Sequence, residues 1–117
     1  MSDASRTTIA QAAAGSSLYV SPFSGWEVAT LVRKGKIALT MSSQEWFRHV
    51  AENEAVTLTP LDYPLLIDSC ALPGHPPNDP ADRIMVATAR AMRLTIVTRD
   101  RPILEYAGHG HVRGLEC

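Results

Sequence analysis

Four side chains stand out for the chemistry that their types and places allow: Glu27, Asp82, Asp100 and Thr98. Glu27 falls in the first turn of an expected helix after the apolar run Leu-Tyr-Val at 18–20. Asp82 falls in the first turn of an expected helix that precedes the run Leu-Thr-Ile-Val-Thr at 94–98, and Asp100 lies just past that run. In a parallel sheet, strand C-termini and the N-termini of the helices that follow share one edge. Glu27 and Asp100 then converge at that edge, and Asp82 joins them if its helix starts at the same rim. Clustered carboxylates repel one another, so proteins hold them together mainly to bind a hard divalent cation. Mg²⁺ and Mn²⁺ take such oxygen ligands. A cation held this way activates water and stabilises the leaving oxygen in phosphodiester hydrolysis. The Thr98 hydroxyl is placed to position a water or a ligand carboxylate.

Each residue also has a plainer explanation. Ser24 with Glu27 has capping-box spacing, as has Asp79 with Asp82, and acids at helix starts are stabilising in their own right. Asp100 reads as a solvated turn residue and Asp79 as an N-cap. Arg33, Lys34 and Lys36 read as a solvated helix end, and His109 and His111 of the Gly-His-Gly-His stretch as loop residues. Trp46 and Phe47 read as core.

The elements that must position these groups follow from pattern. Residues 1–14 are expected to form a helix that ends near Gly15, and 18–20 a strand. A helix over 26–34 carries an apolar stripe of Trp26, Ala29 and Val32, with Gly35 as its stop. A second runs over 43–53, with Ser42 and Glu45 at capping-box spacing. Residues 55–59 alternate as a strand, and 61–72 read as helical from about Pro64. Pro and Gly make 73–78 a loop. Asp79-Pro80 opens the clearest helix, 81–92, followed by a strand at 94–98, a helical turn at 102–106 and an edge strand at 112–115. Strands alternating with helices indicate an α/β fold built on a parallel sheet.

A chain of 117 residues makes one domain, spanning 1–117. Lys+Arg 11 against Asp+Glu 12 give a net charge of -1, so bulk charge does not argue for a nucleic-acid partner and local sites must do so. No apolar run is long enough to span a membrane. No signal peptide is visible, and Cys70 and Cys117 make neither a metal-ligand spacing nor a disulfide framework. A soluble, cytoplasmic protein is the expectation.

The stretch Leu-Pro-Gly, a Pro-rich loop, then Asp-Pro-Ala-Asp-Arg-Ile-Met-Val-Ala-Thr-Ala and Leu-Thr-Ile-Val-Thr-Arg-Asp resembles PIN-domain ribonucleases of the VapC toxin type. So does Tyr19 to Gly35, where a strand leads into a Trp-Glu-Val-Ala helix. The order and spacing of the blocks agree over nearly the whole chain. The resemblance implies a PIN-like three-layer sandwich around a central parallel sheet. It also implies a toxin-type endoribonuclease that uses Mg²⁺ or Mn²⁺. Glu27, Asp82 and Asp100 would be its metal-site acids, Thr98 the accompanying hydroxyl, and Asp79 a secondary candidate. The partners it implies are an RNA substrate, a cognate antitoxin and a second copy of the chain. Arg83, Arg99 and Arg101 are the candidate phosphate contacts.

The family opens with a strand ending in an acid, in a pattern like Leu-Asp-Thr-His, and then a helix. Met1-Ser2-Asp3 does not match that pattern, so the resemblance implies a fold incomplete at the N-terminus and lacking its first acid. A gene start set too far downstream, a truncated copy, and a gap closed by the strands or a partner are the three readings. The competing function is a catalytically inactive remnant that still binds an antitoxin or dimerises. A phosphate-accepting receiver domain shares the alternation of elements. It needs a Lys after a late strand, where Arg99 and Asp100 stand instead.

Overall fold

The computed structural model describes residues 2–117; Met1, which the expected first helix includes, lies outside them. The chain divides into two compact units. One comprises the residues up to Thr8 with Leu61–Cys117, and the other is Ile9–Pro60.

The unit Ile9–Pro60 holds the second half of α1 (Asp3–Ala14), then β1 (Leu18–Val20), α2 (Phe23–Arg33), α3 (Ser43–Ala51) and β2 (Val56–Leu58). Strands β1 and β2 pair in parallel, from Leu18 opposite Val56 to Val20 opposite Leu58. The Ser42 hydroxyl caps α3 by accepting the Glu45 N–H at 3.1 Å, as the capping-box spacing predicts. Helix α2 departs from expectation. It starts at Phe23 after Pro22, with no side-chain cap, so the Ser24–Glu27 box does not form. The fixed φ of proline suits a helix entry, and the Ser21 hydroxyl accepts the Phe23 N–H at 3.2 Å. Gly25 lies under the Phe47 ring, where a Cβ would come within 3.1 Å of two ring carbons, so the missing side chain lets α2 and α3 approach. Trp26 leads the expected apolar stripe yet is 61% exposed, its ring 5.1 Å from that of Phe23.

The other unit contains α4 (Tyr63–Asp68), α5 (Pro80–Met92), β3 (Thr95–Thr98), α6 (Arg101–Gly108) and β4 (Arg113–Glu116). Strands β3 and β4 are parallel, from Thr95 opposite Arg113 to Thr98 opposite Glu116. Val86 and Ala89 of α5, Ile96 of β3, Ile103 and Tyr106 of α6, and Val112 form the core. The Ser5 hydroxyl, fully buried, donates to the Glu116 carbonyl at 2.9 Å and ties the start of α1 to the end of β4. Helix α6 extends beyond the turn expected at 102–106, and Asp100 caps its start.

The α/β class, the alternation and the parallel pairing are as expected. The single central sheet of that expectation takes the form of two two-stranded parallel ladders, one in each unit. Among the described residues no helix is long and apolar enough to cross a membrane, and both cysteines are free thiols.

Candidate acidic cleft

Two helices begin at one cleft of about 540 Å³, and their first residues line it. Asp79 is the N-cap of α5: its Oδ1 accepts the N–H groups of Ala81 at 2.8 Å and Asp82 at 3.2 Å, and Pro80 fills the first turn, where no N–H is required. That start places Asp82, half-buried, in the first turn and on the cleft wall.

Asp100 is the N-cap of α6. Its Oδ2 accepts the Ile103 N–H at 3.1 Å, and its own backbone N–H donates to the Thr98 hydroxyl oxygen at 3.0 Å. Thr98 therefore anchors the turn that carries Asp100. Sequence reasoning sees the acid but not the cap. The signal was present: Asp62-Tyr-Pro, Asp79-Pro and Asp100-Arg-Pro all set an aspartate one or two residues before a proline, and each aspartate caps a helix.

The cleft brings together Asp79, Asp82 and Asp100 with Glu105. Among the described residues no Lys or Arg lines it, and His75 and His109 are the lining side chains that can carry positive charge. Four carboxylates on one cleft wall make a field that attracts cations, and the positive ends of two helix dipoles moderate the repulsion among them. Their donor set is hard oxygen throughout, which fits Mg²⁺ or Mn²⁺. Among the described residues no three His, Cys, Asp or Glu side chains are gathered tightly enough to hold a metal ion. An open, carboxylate-lined cleft suits Mg²⁺, which commonly takes one or two carboxylates and keeps several waters.

Glu27 belongs to the unit Ile9–Pro60. It lies half-buried in the second turn of α2, because that helix starts at Phe23. The capping job that would have explained it is therefore gone. Glu105 and His109 were not among the expected site residues. Glu105 lies within the expected turn at 102–106 but carries no spacing signal, and His109, read as a loop residue, reaches the cleft as the C-cap of the longer α6. His111 is not a free loop residue: its ring stacks on Tyr106 with centroids 4.6 Å apart. The Tyr106 hydroxyl donates to the Pro73 carbonyl at 2.5 Å. Burial raises the Tyr106 pKa above its usual value, with the nearby charges of Arg90 and Arg83 opposing the shift.

A PIN domain model matches residues 2–108. Over 97 residues the chain is 34% identical to "Ribonuclease VapC22" of Mycobacterium tuberculosis, an overlap of 82% of this chain and 70% of that protein. No solved structure gives a significant match. The parallel α/β pattern, the Asp-Pro-Ala-Asp-Arg helix start sharing a cleft with the aspartate that follows β3, and a match along most of the length lead to one conclusion: the chain belongs to the PIN-domain family, on its VapC-type branch.

Proposed function

We propose that this chain is a Mg²⁺- or Mn²⁺-dependent endoribonuclease of the toxin type, cutting RNA phosphodiester bonds, with a cognate antitoxin as its regulatory partner and a second copy of itself as a candidate one. The observation that carries this reading is the carboxylate-lined cleft in which Asp82 and Asp100 meet at the starts of α5 and α6. Kinship to a protein named as a ribonuclease supplies the reaction class.

Asp82 and Asp100 would hold the cation, with Asp79 beside them. When bound, the cation lowers the pKa of its water and takes up charge at the scissile phosphate. The chain's own part is positional. The Asp79 cap fixes the backbone that carries Asp82, and the Thr98 hydroxyl fixes the turn that carries Asp100. Arg83, Arg99 and Arg101 supply phosphate contacts that orient RNA without reading its sequence.

The test is cleavage of a labelled single-stranded RNA by the purified chain with Mg²⁺ or Mn²⁺. Asp82→Asn should slow cleavage by roughly a hundredfold or more, since even residues behind the ligands cost about 10–100-fold when removed. Cutting that continues in excess chelator, or that Asp82→Asn leaves intact, overturns the assignment.

A further inference from the structure

The far end of α5 carries a second cleft, of opposite character. Arg90 in the last turn, Arg93 at the C-cap and Arg113 at the start of β4 line a space of about 430 Å³ with His111. Among the described residues no carboxylate lines it. Three unneutralised guanidinium groups around one cleft repel one another, in a chain whose net charge is only -1.

The dipole at the end of α5 accounts for Arg90. It does not account for Arg113, which comes from another element, nor for the choice of Arg93. Arg93 sits at φ 58, ψ 43, a left-handed cap that glycine or asparagine ordinarily fills. A long cationic side chain is kept there despite the backbone strain.

Two of the three groups are also held in place. Arg90 Nη1 donates to the His111 carbonyl, and Arg113 Nη2 donates to the Arg93 carbonyl. A guanidinium has five N–H donors in a planar fork, so one such bond orients the group and leaves other donors for a ligand. Charge without counter-charge, planar donors and restraint by backbone carbonyls match the oxygens of a phosphate.

We propose that this arginine cleft binds a backbone phosphate of RNA, anchoring the strand remote from the acidic cleft. The proposal rests on the reading of RNA as substrate. The rise along α5 from Asp82 to Arg93 is about 16 Å, so the phosphate held here is not the one being cut.

The experiment measures binding of a labelled single-stranded RNA to the full chain across a salt series, with EDTA present so that cutting cannot contribute. The variants are Arg93→Gly, which suits the left-handed backbone, and Arg113→Gln. The slope of log K against log salt should become shallower by about 0.7 for each phosphate that is no longer neutralised, and affinity at low salt should fall. Lys36→Gln, at an exposed cation outside both clefts, should leave that slope unchanged, which ties the loss to this cleft and not to positive charge in general. Absence of cleavage in Mg²⁺ beside an arginine-dependent slope would sink the nuclease reading and leave the anchor standing. Equal slopes in wild type and both variants overturn the anchor. So does inorganic phosphate raising the melting temperature of wild type but not of the variants while RNA slopes stay equal, because the cleft would then take a free anion and not RNA.

Discussion

Asp100 does two jobs with one carboxylate, and the two can be separated. Its Oδ2 accepts the Ile103 N–H and caps α6, while its charge adds to the field of the acidic cleft. Asparagine is as good an N-cap as aspartate but carries no charge. Asp100→Asn should therefore keep stability within about 0.5 kcal/mol of wild type and still impair cleavage about as severely as Asp82→Asn. Asp100→Ala should remove the cap as well, costing about 0.5–2 kcal/mol. Urea unfolding read beside RNA cleavage checks both; an active Asp100→Asn enzyme would confine this residue to capping. The same doubleness limits what the sequence reveals. Asp79 and Asp82 announce themselves because a proline stands next to the cap, whereas Asp100 sits in a charged Arg-Asp-Arg run that reads equally well as a turn. Glu27 goes the other way. The spacing of a capping box explains it in the sequence, and only the actual start of α2 at Phe23 removes that explanation.

At the scale of elements, the helices with strong local signals are legible in the sequence and the interactions that join them are not. Ser42 and Asp79 mark the starts of α3 and α5 because capping is a local bond between near neighbours. The grip on the loop 73–78 depends on residues more than thirty positions away, and no spacing rule reaches that far. Tyr106 bonds the Pro73 carbonyl, and the His111 ring stacked on Tyr106 closes over Gly74. Gly74 has φ +68, and a Cβ there would lie 2.7 Å from His111 Nε2. The ring cannot swing aside without giving up its stack. Gly74→Ala should cost the left-handed backbone penalty of about 1–2 kcal/mol and a steric penalty besides. Gly35, at φ +73 with nothing within 4 Å of its Cβ position, is the matched control and should show the backbone penalty alone. Urea midpoints compare the two, and equal losses of stability would mean that His111 yields freely.

For the molecule as a whole, a net charge of -1 conceals a segregation of charge: carboxylates gather where α5 begins and arginines where it ends. Composition averages over that division, so only the fold reveals it. Tyr106 lies in the core and backs the acidic cleft, 1% exposed, and its ionisation is coupled to unfolding. Burial raises its pKa, and the opposing pull of Arg90 and Arg83 does not reverse the shift. The unfolded chain therefore releases this proton at lower pH than the folded one. Below the unfolded value, near 10, both states are protonated and the contribution is fully present. As pH climbs from there through the raised folded value, deprotonation favours the unfolded chain and stability falls. Tyr106→Phe removes the titration and the bond to Pro73 together. It should cost about 0.5–1.5 kcal/mol at neutral pH and give a shallower alkaline decline than wild type. Urea unfolding between about pH 8 and 11 measures both, the upper limit lying about one unit above the ordinary tyrosine pKa. Parallel alkaline limbs for the two proteins would show that the hydroxyl does not ionise differently on folding, and that the alkaline decline arises elsewhere in the chain.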